Sequence, residues 1–71
     1  MGRLLDSLTD DHPAFSKVDR ADGIYLVRRE GQSDTFNAVA RDLQDHSGDD
    51  YVVFLTSDGA GGYEQALIVP L

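Results

Sequence analysis

Two short segments bring aspartates and a histidine close together in the sequence, and both could supply ligands for a cation. The first is residues 10–12, and the second is residues 45–50, which includes His46. Carboxylate oxygens are the ligands that calcium and magnesium prefer, and imidazole suits transition metals. Neither segment has the pattern of a calcium-binding loop, and the chain has no cysteine for a thiolate zinc site. We therefore expect solvated helix ends, with no metal and no cofactor.

The residues that could support acid–base or nucleophilic catalysis are scattered along the chain. Histidine is the side chain that ordinarily exchanges protons near neutral pH, and the chain has His12 and His46. The candidate nucleophiles are Ser7, Ser16, Ser33, Ser47 and Ser57. None lies in a recognised nucleophile motif, and a chain rich in carboxylates always offers some serine, histidine and aspartate to combine. The sequence therefore predicts a protein that is not an enzyme.

A glycine-rich stretch, residues 57–62, invites comparison with the loops that bind phosphate. Those loops join a strand to the N-terminus of a helix, whose main-chain N–H groups face the anion. Here a strand is predicted on both sides, and Asp58 would repel phosphate. The stretch therefore predicts a flexible hairpin turn.

The segment Gly23–Arg28, with the sequence GIYLVR, resembles the glycine, aromatic and Leu-Val-Arg strand of SH2 phosphotyrosine-binding domains. The resemblance implies that Arg28 binds phosphate. The part of the chain that it covers is short, even when residues 36–41 are counted as that family's next strand. The sequence departs from the family at residues 29–31, where the usual serine is missing, and residues 36–43 have helical spacing. The alternative is that Arg28 and Arg29 end a strand and pair with nearby acids.

Two segments with helical periodicity must position these residues. Three leucines predict a short helix over residues 3–9, and residues 14–22, which have no clear period, are expected to form a loop. A longer helix is indicated by apolar side chains at i, i+3, i+4 and i+7, namely Phe36, Val39, Ala40 and Leu43. Ser33 or Asp34 could cap its start, and Gly48 is placed to end it.

Three segments rich in β-forming residues predict strands: residues 23–29, 51–56 and 63–69. A right-handed crossover through the longer helix makes the first two parallel. Because the last strand has the longest apolar run, Ala66–Val69, we place it between the others, in the order 1-3-2, with 1-2-3 as the alternative. The predicted fold is an α+β domain, α-β-α-β-β, with one main helix and a short N-terminal helix packed on a three-stranded mixed sheet.

The predicted sheet has two apolar faces, and one helix cannot cover both. One face is expected to carry Ile24, Leu26, Val53, Leu55, Leu67 and Val69, and the other Tyr25, Val27, Val52, Phe54, Ala66 and Ile68. The leucines of the N-terminal helix or a second subunit must cover the remainder. A homodimer is therefore one expectation.

The chain is short and acidic, which limits its partners. It has 71 residues, thirteen acids against six bases, and a formal net charge of −7. Such a charge repels phosphate backbones and anionic lipid and attracts basic surfaces. The sequence shows no signal-peptide pattern and no apolar run long enough to span a bilayer. We expect one small cytoplasmic domain, residues 1–71, that binds neither nucleic acid nor membranes directly.

The aspartates concentrate in predicted turns and helix ends. Asp42, Asp45, Asp49 and Asp50 lie around the end of the longer helix, and Asp58 follows the next strand. Such a negative rim could bind a basic protein or nucleoprotein surface, although solubility alone would also explain it. We therefore expect a small protein–protein interaction module that inhibits a basic nucleic-acid-binding complex as a nucleic-acid mimic; phage-borne anti-CRISPR proteins exemplify this class. The alternative is a self-associating structural or assembly subunit of a virion or scaffold, and a small enzyme or phosphopeptide binder is less favoured.

Overall fold

The described part of the chain contains four β-strands and one α-helix. The computed structural model describes Leu8 and residues 12–71. The elements are β1 (Phe15–Arg20), β2 (Gly23–Arg28), α1 (Ser33–Asp45), β3 (Tyr51–Ser57) and β4 (Tyr63–Pro70). The helix predicted over residues 3–9 lies outside the described residues, apart from Leu8, which is buried in the hydrophobic core.

The strands form one antiparallel sheet in the order β1-β2-β4-β3. The predicted three-stranded mixed sheet is therefore wrong in two respects. Residues 15–20 form an edge strand where a loop was expected. In addition, every neighbouring pair among the described strands is antiparallel, so the sheet is not mixed. The last strand, β4, lies between β2 and β3, where the predicted order 1-3-2 places it.

The β1–β2 hairpin turns at residues 21–22 and depends on a glycine immediately after the turn. Gly23 has a φ of 150°, and a Cβ at this position would collide with the main-chain oxygen of Ile68 in β4. Across the hairpin, the Arg20 guanidinium lies over the Tyr25 ring, 5.5 Å from its centroid. The close approach of β2 to β4 thus requires glycine at this position.

Helix α1 forms at the predicted place but with different ends. Its buried residues are Phe36, Ala40 and Leu43. The N-cap is Gln32, with no side-chain capping bond, and not the predicted Ser33 or Asp34. The helix ends at Asp45, and Gly48 adopts a φ of 104° in the loop that follows. No helix in the part of the chain that the structure describes is long and apolar enough to cross a membrane.

The core lies between α1 and one face of the sheet. Cross-strand register places Ile24 beside Ile68 and Leu26 beside Ala66. The helix-covered face therefore includes Ala66 and Ile68, and the predicted assignment of Leu67 and Val69 to that face is wrong. The other face, which we call the open face, carries Val18, Tyr25, Val27, Val52, Phe54, Leu67 and Val69. On it the Phe54 residue is 58% exposed and Val18 is 48% exposed.

Candidate functional site

Four of the predicted partner-binding aspartates lie at one end of the molecule, which we call the acidic end: Asp42, Asp45, Asp49 and Asp50. All four are exposed, two in the last turns of α1 and two in the loop that leads to β3. Burial raises the pKa of Tyr51, and the negative charges of Asp49, Asp42 and Asp50 raise it further. The charges of these three carboxylates therefore all act on one phenol.

Tyr51 fixes the acidic end to the sheet. The residue is 3% exposed, and its hydroxyl donates a 2.7 Å hydrogen bond to the main-chain oxygen of Leu43. The usual helical donor to that oxygen would be the N–H of Ser47, but this N–H donates to the oxygen of Gln44 instead. The tyrosine thus supplies the missing partner of a carbonyl in the last turn of α1.

The loop between α1 and β3 is held against the outer edge of β3. The Gly48 N–H donates to the main-chain oxygen of Tyr51 at 2.7 Å, and the Val53 N–H donates to Ser47 Oγ at 3.0 Å. The Leu71 N–H donates to the main-chain oxygen of Asp50 at 2.9 Å. These bonds position the two aspartates of the loop through the backbone.

The acidic end coincides with the negative end of the α1 dipole. The last turn of α1 contains no basic residue. Cations are favoured at helix C-termini, and each aspartate placed there costs about 0.3–1 kcal/mol at low ionic strength. Arg41, one turn before Asp45, does not pair with it, since the ion pairs among the described residues are Lys17–Asp19, Arg20–Asp22 and Arg28–Asp58. Asp42, Asp45 and Asp49 therefore have no cationic partner in the described chain.

Asp58, the fifth predicted site residue, lies apart from the acidic end. It follows the last residue of β3, whereas Asp50 precedes the first, so eight residues separate the two by about 27 Å along the strand. Its carboxylate accepts hydrogen bonds from the Ala60 N–H at 2.7 Å, the Gly62 N–H at 3.1 Å and Arg28 Nη1 at 2.9 Å. The Ala60 N–H first, and then Arg28 and the Gly62 N–H, hold the pKa of Asp58 below its usual range. Asp58 thus stabilises a turn.

The same contacts decide the role of Arg28. Besides Asp58, its Nη1 donates to the main-chain oxygen of Tyr63 at 3.2 Å. Residues 36–41 belong to α1, so they do not form the strand that the SH2 resemblance would require. The alternative prediction, in which both arginines end a strand and pair with acids, is confirmed for Arg28. Arg29 Nε instead donates to the main-chain oxygens of His12 and Phe15, at 3.0 Å each.

The glycine-rich stretch is a hairpin turn between β3 and β4, as predicted. Gly59 and Gly61 adopt φ values of 80° and 86°. Asn37 of α1 accepts a 3.0 Å hydrogen bond from the Tyr63 N–H, which ties the hairpin to the helix. Sequence reasoning missed this bond from Asn37 and also the role of Asp58 in the turn. For Asp58 there was a usable signal, its place immediately before Gly59, because aspartates commonly bond the main chain two residues ahead.

The histidines have different surroundings. His12 stacks on Phe15 with ring centroids 4.3 Å apart, and its Nδ1 accepts a hydrogen bond from the Ala14 N–H. His46 is exposed at the C-cap of α1. Within the residues that the structure describes, no three metal-binding side chains come together, and Asp10 and Asp11 lie outside that part.

Comparison of the chain with protein-family models, curated proteins and solved structures finds no match. Its function must therefore be inferred from the acidic end and from the surfaces of the sheet.

Proposed function

We propose that the protein is a small interaction module whose acidic end binds a basic surface, such as the cationic groove of a nucleic-acid-binding protein. The observation that supports this most directly is the grouping of exposed carboxylates at the negative end of α1. Three of them, Asp42, Asp45 and Asp49, have no cationic partner among the described residues, and Asp50 lies beside them. A basic partner would supply the cations that Asp42, Asp45 and Asp49 do not find among the described residues.

Solubility alone does not require this arrangement. A solubilising carboxylate can lie anywhere on the surface, and at the start of a helix, where Asp34 lies, it also stabilises the dipole. Asp42 and Asp45 lie where the dipole disfavours them, and Asp49 and Asp50 add like charges nearby. The arrangement costs folding stability and concentrates negative potential at one end of the molecule.

The acidic end is also preorganised for binding. The bond from Tyr51 to Leu43 and the backbone bonds of the loop fix the main chain that carries the carboxylates before a partner arrives. Preorganisation lowers the entropic cost of association, and a concentrated field accelerates encounter with an oppositely charged surface. We expect such binding to weaken as salt is added, because exposed charges are screened.

Affinity capture with two charge-matched variants tests the proposal. In the first variant Asp42, Asp45, Asp49 and Asp50 are all changed to Asn. In the control, four exposed acids elsewhere are neutralised by Asp19→Asn, Asp22→Asn, Glu30→Gln and Glu64→Gln. Both variants have the formal charge reduced from −7 to −3. Each is immobilised, exposed to a lysate of the source cell and eluted with a salt gradient.

The two variants should behave differently. A partner retained by the wild type and by the control, released by salt and lost from the acidic-end variant would support the proposal. Equal loss from both variants would show that bulk charge alone attracts the partner. Retention by both variants, or no salt-released partner of the wild type, would contradict the proposal.

A further inference from the structure

The two edges of the sheet differ in how they are protected. The β1 edge carries three charged residues, Lys17, Asp19 and Arg20, whereas β3 contains no charged residue and no proline. Natural edge strands are usually blocked by charges, prolines or bulges, because their unpaired main-chain groups can bind another strand. The one irregularity in the β3–β4 pairing lies at the very end of β3, between Thr56 and Ser57. Most of β3 is thus an unblocked edge.

The main-chain bonds show which groups of β3 face outward. The Tyr51 oxygen and the Val53 N–H point away from β4, since they bond Gly48 and Ser47 in the loop after α1. In an antiparallel ladder, alternate residues direct their main-chain groups to the same side. Leu55 therefore also directs its N–H and oxygen outward. The loop covers the first part of the edge, and no described residue bonds the outward main-chain groups of β3 from the Val53 oxygen onward.

We propose that this open edge pairs with β3 of a second copy, antiparallel and about a two-fold axis at Leu55. In this register the Leu55 N–H of each copy donates to the Leu55 oxygen of the other. The Ser57 N–H donates to the Val53 oxygen of the second copy, and the bond from Val53 to Ser47 is kept. Phe54 lies opposite Thr56 of the second copy, so the exposed phenylalanine gains a neighbour. One continuous sheet then spans both copies.

Charge placement explains why a second copy fits this edge despite the net charge of −7. Asp50 lies five residues before Leu55, so the axis at Leu55 places the two acidic ends about 34 Å apart along the strands. That distance exceeds the Debye length, about 10 Å at 0.1 M salt, so mutual repulsion is weak. Each acidic loop faces residues 59–61 of the other copy, which are uncharged, and Asp58 beside them is paired with Arg28. The strand β3 itself contains no carboxylate that would favour a basic peptide over a second copy.

Sedimentation equilibrium over micromolar to millimolar concentrations tests the dimer. The wild type should show a concentration-dependent monomer–dimer equilibrium. Two double variants, one with Phe54→Lys and Thr56→Lys and one with Phe54→Glu and Thr56→Glu, should each sediment as a monomer, because like charges face each other across the axis. Mixing the two in equal amounts should restore a dimer. Circular dichroism confirms that each variant is folded.

Val18→Lys is the matched control. Val18 lies on the same open face as Phe54 and is similarly exposed, but on the opposite edge strand. This variant should dimerise like the wild type. In the wild type, hydrogen exchange at the Leu55 and Ser57 amides should slow as the concentration rises.

Four results would overturn the inference. They are a wild type that stays monomeric at millimolar concentration, a double variant that still dimerises, a mixture that does not associate, and a Val18→Lys variant that dissociates. The last would place the interface on the open face. The variant that neutralises the acidic end should still dimerise, so this inference can fail or succeed independently of the proposed function.

Discussion

The hydroxyl of Tyr51 provides the sharpest test of how the acidic end is held. Tyr51→Phe removes one oxygen and keeps the ring, so the packing of this buried side chain is preserved. The main-chain oxygen of Leu43 then loses its only side-chain donor, and the Ser47 N–H remains bonded to Gln44. A buried carbonyl is left without a partner at the end of α1.

The expected cost follows from that unsatisfied carbonyl. Leaving a buried acceptor without a donor costs about 1–3 kcal/mol in the free energy of unfolding. For a domain of this size, a loss of about 2 kcal/mol lowers Tm by roughly 8–16 °C. The substitution should also change the response to alkali. Because the pKa of Tyr51 is raised in the folded state, the unfolded chain loses this proton first, and wild-type stability falls as the pH rises above about 10.

Thermal and urea denaturation, followed by circular dichroism, measure both effects. Tyr63→Phe is the control, because the Tyr63 hydroxyl has no hydrogen-bond partner among the described residues, and it should change the free energy of unfolding by less than about 0.5 kcal/mol. The reasoning would be refuted if Tyr51→Phe were as stable as Tyr63→Phe. It would equally be refuted if the variant lost stability in alkali as steeply as the wild type.

Asp58→Asn and Gly23→Ala test the two hairpins, and Gly31→Ala, in the loop before α1, is the reference for Gly23→Ala. Asp58→Asn should destabilise the fold at neutral pH, but the difference from the wild type should vanish in strong acid. Because the pKa of Asp58 is lowered in the folded state, its carboxylate stabilises the fold at pH values above 3.8, the ordinary pKa, and this stability is lost as the pH falls through the folded pKa. Urea denaturation measures the difference in unfolding free energy between variant and wild type, and a difference that does not change with pH would contradict this account. Gly31→Ala, at a φ of 77° in open space, should cost about 1–2 kcal/mol. Gly23→Ala should cost about 1–3 kcal/mol more than Gly31→Ala, because its methyl group meets the Ile68 backbone. Equal unfolding midpoints for these two glycine variants would refute the close approach of β2 to β4.

Part of the site could be predicted because it depends on neighbours in the sequence. The helical periodicity predicts that Asp42 and Asp45 lie near the end of the longer helix. Their order in the sequence then places Asp49 and Asp50 in the loop that follows it. The proximity of three of these aspartates to Tyr51 could not be predicted, because it depends on how β3 packs against the end of α1. Asp58 was grouped with them from its place in the sequence, but a seven-residue strand separates them.

The strand β1 shows why the fold prediction failed. Phe15 is its one buried side chain, and Lys17 and Val18 give no alternating pattern. The strand is held by main-chain bonds to β2, which any residue except proline can make. The hairpin turn at residues 21–22 also lacks the glycine that marks most two-residue turns.

By itself, the sequence determined the acidity, the helix with Phe36, Ala40 and Leu43 on its buried side, and the apolar runs that form β2, β3 and β4. Each depends on side-chain types or on a period within one segment. The apolar run of β4 also indicated its place between β2 and β3. Tertiary structure alone decided the fourth strand and the face on which Ala66 and Ile68 lie. Side chains alternate with a period of two, so a shift of one residue in register exchanges the faces, and only the pairing of distant strands selects between them.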